Sequence, residues 1–333
     1  MDNLNFSFII PVYNRPKEVE ELLQSMVQQT ESGFEVIIVE DGSDLKCDKV
    51  CKQFQNMLDL KYFYKENSGP GQSRNYGYQN AQGNYCIFLD SDCVLPADYF
   101  KIVQNSLKNE YVDAYGGPDR AHVDFNSLQK AINYSMTSFF TTGGIRGSSE
   151  RLDKFHPRSF NMGYSRDVFL KTKGFSKMRF GEDVDMSIRI LQNGFNTKLI
   201  KNAFVYHKRR TSLRQFYKQV YNSGIARINL FKRHPKSLKI VHLGPALFTI
   251  GTIILLILSM FCNVIFLLPL LMHFLIIFID SSIKNRSMYI GMLSIVTSFI
   301  QLLGYGSGFI NALWKRIVLN KSEYSAYIKT FYK

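Results

Sequence analysis

Between Met186 and Ile279 the chain contains no aspartate or glutamate, and from Leu243 to Ile279 it contains no charged side chain at all. The second absence excludes an ordinary soluble helical hairpin. The run is 37 residues long, and about 20 apolar residues cross a bilayer, so it holds a tight pair of spans. Asn263 is the expected turn and Pro269 lies early in the second span, which places the spans at about 243–262 and 264–280. A third uncharged run, 288–313, is diluted by Gln301, Gly304, Gly306, Gly308 and Asn311, and reads either as a span or as a re-entrant or interfacial segment.

The missing acids leave 13 Lys and Arg between Arg189 and Lys239 unopposed. Positive charge beside a span marks the cytoplasmic side, so the preceding domain is expected on the inner face of the cytoplasmic membrane. Lys284 and Arg286 fit a hairpin that returns to that side, whereas the short basic tail (Lys315, Arg316, Lys321, Lys329, Lys333) would lie outside if the third segment crossed fully. The basic stretch suits anionic headgroups or serves topology alone. Nucleic acid is the weaker reading beside an apolar run, and no nucleic-acid partner is expected.

Cysteine is scarce too. Five residues, an odd number with no CxxC spacing, exclude a disulfide framework and a structural zinc site. The N-terminus has an acid at position 2 and no basic region, so no secretory leader is expected. Without repeats or a low-complexity linker, residues 1–240 read as one domain, basic and membrane-proximal over 207–240, followed by a membrane region over 241–333.

Within the first 240 residues, short β-branched or aromatic runs alternate with amphipathic ones: 6–13, 34–41, 60–66 and 85–90 as strands, 19–29, 48–58 and 73–83 as helices. Val19, Leu22, Leu23, Met26 and Val27 keep helical spacing. This alternation predicts an α/β fold around a mostly parallel sheet, whose ligands bind at the carboxyl ends of the strands. Asn14, Glu40-Asp41 and Asp90-Ser91-Asp92 all fall there.

Each motif has a bland account beside a chemical one. In extended backbone Asp90 and Asp92 point the same way, so they converge on a hard cation such as Mg²⁺ or Mn²⁺, or Asp92 serves a turn before Pro96. Asp41 in VEDGSD either accepts hydrogen bonds from a base or ribose, or belongs to a plain Asp-Gly turn. In NSGPGQSRNYG a turn opens a helix carrying Arg74, at an end that favours anions. Val184, Ile188 and Leu191 start a helix near Glu182, placing Glu182, Asp183 and Asp185 in its first turn; Asp183 is then a general base or simply an N-terminal acid, and Asp185 pairs with Arg189. His207 ends the strand-like run TKLIKNAFVYH.

Taken in order, IIPVYN, VEDGSD, NSGPGQSRNYG, GNYCIFLDSDC, SFNMGYSRDVFLKTKGF, RFGEDVDMSIRILQNGF and VYHKRR resemble glycosyltransferase family 2, inverting enzymes of the GT-A fold. The resemblance spans about residues 6–225 and implies a GT-A domain followed by membrane helices. It implies that Asp41 contacts the donor nucleobase beside Glu40, which stands where many relatives have another Asp. It implies that Asp90 and Asp92 form the DxD motif, with Asp92 reaching the metal and His207 contributing to it, and that Asp183 is the base with Glu182 in support. Pro11, Tyr13, Asn14, Arg74 and Asn161 match donor-pocket positions. The expected partners are a UDP- or GDP-linked sugar, a glycan or lipid-linked acceptor, and the membrane.

The single tryptophan, Trp314, lies far from QFYKQVYNSG, so the Gln-x-x-Arg-Trp motif of processive synthases is missing and addition of one sugar is expected. A processive synthase and a catalytically silent nucleotide-sugar-binding subunit stand as the alternatives.

Overall fold

In a computed structural model of the protein, residues 4–120, 125–143, 156–208 and 211–327 are described. They fall into two compact units, one within Met1–His122 and Leu152–Lys208, the other within Val123–Arg151 and Arg209–Lys333.

The first unit opens with the alternation read from the sequence: β1 (Phe6–Val12), α1 (Pro16–Val27), β2 (Phe34–Asp41), α2 (Asp48–Phe54), β3 (Asp59–Lys65), α3 (Pro70–Gln79) and β4 (Tyr85–Leu89). It continues through β5 (Cys93–Val94), α4 (Tyr99–Asn109), β6 (Ala114–Gly116) and β7 (Asp119–Arg120). Helices α5 (Ser127–Thr137) and α6 (Phe139–Thr142) belong to the second unit. The chain then returns with β8 (Asn161–Ser165), α7 (Arg166–Thr172), α8 (Glu182–Gln192), β9 (Thr197–Leu199) and β10 (Val205–His207).

Seven strands form one sheet in the order β3-β2-β1-β4-β8-β6-β9, parallel except where β8 pairs with β4 and β6. β1 is buried along its whole length, as a central strand covered on both faces must be. Its residues alternate between two cores. Phe8, Ile10 and Val12 pack with Leu22, Leu23 and Met26 of α1 and with Phe100 and Val103 of α4. Ile9 turns the other way, to Phe88, Tyr164, Phe175, Met186 and Ile190. Gly77 of α3 lies against this second face, where an added Cβ would come within 2.5 Å of the Ile9 side chain.

The run 197–207, read as one strand, is two. A turn in which Ala203 N–H donates to Ile200 C=O separates β9, on the large sheet, from β10, the middle strand of a small sheet in the order β5-β10-β7. The register of that small sheet sets His207 opposite Cys93. That pairing carries His207 to the DSD segment.

The second unit continues with α9 (Leu213–Arg233), α10 (Gly244–Phe261), α11 (Leu268–Asn285) and α12 (Met288–Leu313). Among the described residues, three helical segments are long and apolar enough to cross a membrane: Ile240–Phe261, Val264–Asn285 and Met288–Val318. Asn263 is the turn between the first two, its Oδ1 accepting from Ile265 N–H at 2.9 Å. Leu, Ile and Met side chains along α10 and α11 stand exposed. The glycines that dilute the third run are contact points: Gly304 meets Val220 and Gly308 meets Tyr221 of α9, Gly306 meets Pro245 and Thr249 at the start of α10, and Gly291 meets α11. α12 is one unbroken helix, and these glycines let its neighbours close in.

Candidate active site

The sequence-predicted polar residues meet at the carboxyl ends of β1, β2 and β4, which lie side by side in the sheet. Asn14 follows β1 with a left-handed φ of 54°, a conformation asparagine tolerates better than most residues. Its N–H donates to Ser43 Oγ at 2.8 Å and its Oδ1 accepts from Leu45 N–H at 2.9 Å, clamping the end of β1 to the loop after β2. Pro11 is buried in β1, and Tyr13 is half-buried beside Asn14.

Glu40 and Asp41 spend their carboxylates on loops. Glu40, fully buried, accepts from Ser43 Oγ, from Cys47 N–H at 2.7 Å and from Tyr62 OH at 3.3 Å. Asp41 accepts from Ser68 N–H at 2.8 Å, Gly69 N–H at 2.9 Å and Lys65 Nζ at 2.6 Å, so it shapes the turn into α3. Lys65 sits opposite Asp41 in the parallel register of β2 and β3. Asn161 is likewise committed. Its Oδ1 accepts from Tyr99 OH at 2.6 Å and its Nδ2 donates to Ala203 C=O at 2.8 Å. The structure links Asp90, Asp92, His207, Arg74 and Glu182 through a chain of ion pairs, sets Asp183 next to Glu182 with Arg158 as its own partner, and gives Glu40 and Asn161 internal partners.

Arg74 is buried at 2% exposure and bridges two motifs: Nη2 donates to Asp90 Oδ1 at 2.6 Å and Nη1 to Glu182 Oε1 at 3.0 Å. Its guanidinium also lies over the Phe175 ring. A buried guanidinium needs such carboxylates to offset its desolvation.

α8 begins after Gly181, which has φ +84°. Glu182 and Asp183 are adjacent buried acids whose environments push them apart. Burial and the charge of Asp183 raise the Glu182 carboxyl to about 7, against the pull of Arg74. Burial also disfavours the charged form of Asp183, but the Arg158 guanidinium outweighs it and holds that carboxyl below its usual range. Arg158 Nε donates to Asp183 Oδ2 at 2.5 Å, and Val184 N–H caps Oδ1 at 2.8 Å. Asp185 pairs with Arg189 at 2.7 Å as the i, i+4 spacing predicts.

Asp92 Oδ1 lies 3.2 Å from His207 Nε2, and Asp90 Oδ2 lies 3.8 Å from the same nitrogen. The His207 ring is stacked on Phe160. Two carboxylates and one imidazole suit a hard divalent ion such as Mg²⁺ or Mn²⁺. Cys93 is near enough to join a metal cluster with Asp92 and His207, but burial pushes its thiol well up, and a neutral soft ligand adds little for such an ion.

Sequence reasoning missed two arginines. Arg15 forms an ion pair with Asp92 Oδ2, and Arg158 holds Asp183. Both pairings join residues remote in sequence. Lys65 was findable from strand register alone.

Known proteins are similar to this chain. Glycosyl transferase family 2 matches residues 7–172. An uncharacterized glycosyltransferase of Haemophilus influenzae is 31% identical over 219 residues, which covers 62% of this chain and 70% of that protein. The chain belongs to glycosyl transferase family 2. It is similar to the minor teichoic acid biosynthesis protein GgaB of Bacillus subtilis, 36% identical over 218 residues, 62% of this chain and 23% of GgaB. The chain spans 17% and 22% of the length of two rickettsial curated relatives it matches. The mannosyltransferase PcManGT of Pyrobaculum calidifontis, solved with GDP-Man and Mn²⁺, superposes with a TM-score of 0.67 at 15% identity, over 94% of this chain and 88% of that one. At that identity the likeness is one of fold: a GT-A-like α/β domain in a chain that also carries long apolar helices.

Proposed function

We propose that this family 2 glycosyltransferase moves one sugar from a UDP- or GDP-linked donor to an acceptor hydroxyl, with inversion, in the synthesis of a cell-envelope or lipid-linked glycan. Residues 1–240 carry the chemistry, with 207–240 as a basic membrane-proximal segment. Residues 241–333 hold the chain at the inner face of the cytoplasmic membrane, as the apolar helices and their basic flank support.

Asp183 accepts the proton of the acceptor hydroxyl as its oxygen attacks the anomeric carbon. Arg158 keeps that carboxylate ionised and oriented. Glu182 supports it from the adjacent position and, through Arg74, stands on the same frame as Asp90. Asp90 and Asp92 form the DxD motif, and with His207 they would hold Mg²⁺ or Mn²⁺. A bound divalent ion supplies charge neutralisation to the leaving diphosphate. Pro11, Tyr13, Asn14 and Asp41 border the donor side, where the Asp41-built turn opens α3.

The observation that carries this reading is the Arg74 bridge, which ties the base motif to the donor motif through one buried guanidinium. The GDP-Man and Mn²⁺ held by PcManGT, of the same fold, support a nucleotide sugar and a divalent ion here. The test is a screen of UDP- and GDP-sugars with the membrane-embedded full chain, reading nucleoside diphosphate release with and without Mn²⁺. Release of one nucleotide that depends on the ion is expected. Donor binding without release or transfer, for every donor and with glycan or lipid-linked acceptors present, would make the chain a silent binding subunit instead.

A further inference from the structure

Asp92 sits between a guanidinium and an imidazole, and they occupy different oxygens. Arg15 Nη1 pairs with Oδ2, and His207 Nε2 faces Oδ1 at 3.2 Å. The Arg15 and Asp92 side chains are both largely shielded, at 17% and 12% exposure, so water screens their attraction poorly. Arg15 is also fixed at its root. It follows the clamped Asn14, and its C=O accepts from Val19 N–H at 3.1 Å at the start of α1. The guanidinium is therefore aimed at Asp92 by the backbone, with a flexible side chain as its only mobile part.

A divalent ion on Asp92 and a guanidinium on Asp92 repel each other across a few ångströms of low-dielectric surroundings. A nucleoside diphosphate changes that balance. It brings negative oxygens that satisfy a guanidinium in bidentate fashion and ligate the ion as well. We propose that Arg15 stands in for the divalent ion on Asp92 in the donor-free protein and transfers to the donor diphosphate when ion and donor bind together. The inference rests on the DxD reading above and adds to it an electrostatic lock. Asp92 is kept paired until a donor arrives, so ion and nucleotide bind cooperatively, each raising the affinity of the other by the same factor.

The experiment is a Mn²⁺ titration of the full chain in detergent or nanodiscs, followed by EPR of the free ion, alone and with saturating UDP or GDP. In the wild-type protein the nucleotide tightens Mn²⁺ binding. Arg15→Gln removes the competing charge, so Mn²⁺ without nucleotide binds about tenfold more tightly and the nucleotide-induced gain shrinks. Arg15→Lys keeps the charge and stays close to wild type in the nucleotide-free titration, which separates charge from any loss of folding. Asp92→Asn locates the ion. If Asp92→Asn loses Mn²⁺ and Arg15→Gln leaves the nucleotide-free affinity unchanged or weaker, the role of Arg15 is overturned while the DxD reading stands. If Asp92→Asn binds Mn²⁺ as the wild type does, the ion lies elsewhere and both readings fall.

Discussion

Arg158 Nε donates to Asp183 Oδ2 at 2.5 Å, so the acid proposed as the base carries its own counterion. A guanidinium at that distance keeps the carboxylate ionised at the cost of basicity, since it holds the carboxyl below its usual range. Asp183→Asn removes the proton acceptor and keeps the shape. Turnover falls about 10²–10⁴-fold with donor affinity preserved, as general-base losses typically run. Arg158→Gln acts differently. Freed of the guanidinium, Asp183 takes up a proton at higher pH, so the acidic limb of kcat/KM moves upward. A pH–rate profile of Arg158→Gln that superposes on wild type would sever the two residues.

Glu182 makes a second, opposite prediction. Its carboxyl is raised to about 7 by burial and by the neighbouring charge of Asp183. A folded carboxyl that titrates above its ordinary value binds its proton more tightly than the unfolded chain does. The stability it contributes is therefore full below the ordinary carboxylate range and is lost as pH rises through about 7. Thermal unfolding of wild type and Glu182→Gln across that interval should show the wild type losing ground to the variant. Ionised Glu182 also adds negative charge beside the base, so wild-type turnover rises through the same interval and the Glu182→Gln profile is flat there.

The loop after β3 depends on one carboxylate. Asp41 accepts from the N–H groups of Ser68 and Gly69 and from Lys65, and Gly69 turns with φ +94°. Asp41→Ala leaves two backbone donors and an ammonium without their acceptor. With bonds to a charged group worth about 1.5–3 kcal/mol each and partial rescue by water, a loss of about 3 kcal/mol is expected in denaturant unfolding. Donor affinity should drop with it, because this turn opens α3, which carries Arg74. Asp41→Asn, which keeps an acceptor oxygen, should lie between the two. Equal stability of Asp41→Ala and wild type would sink this account.

What the sequence discloses about this site depends on how local each signal is. The strands of the first unit announce themselves through burial patterns a few residues long, and β1, β2 and β4 lie where those patterns set them; α8 begins where expected, but it buries Met186 and Ile190 rather than the Val184, Ile188 and Leu191 stripe. Asp183 and Asp90 are legible because each ends or begins such an element. The Asp92–His207 approach is only half legible. His207 ends a strand, but its register opposite Cys93 depends on a small sheet of two- and three-residue strands with no pattern to read. Arg15 and Arg158 are illegible for a simpler reason: unlike Arg189, each finds a partner remote in sequence, fixed only by tertiary placement. Glu40 and Asn161 show a different limit, since a polar residue at a strand end looks the same in sequence whether it faces a crevice or buttresses a loop.

The glycines of α12 weaken its apolar pattern and permit its packing, and the two roles can be separated. A Cβ on Gly308 would run into the Tyr221 carbonyl of α9, and one on Gly224 would come within 2.7 Å of Phe309 N, whereas Gly251 of α10 has nothing within 4 Å. Alanine gains up to about 1 kcal/mol over glycine in helix propensity at any of these sites. At Gly308 and Gly224 that gain meets backbone atoms that cannot move aside, and overpacking typically costs about 1–3 kcal/mol. Gly308→Ala and Gly224→Ala should therefore lower the melting temperature of the full chain in detergent, while Gly251→Ala leaves it unchanged or raises it. The comparison uses one substitution chemistry throughout, so only packing distinguishes the outcomes. If Gly308→Ala melts with Gly251→Ala, α9 and α12 are not in the close approach that makes the third apolar segment a packed helix.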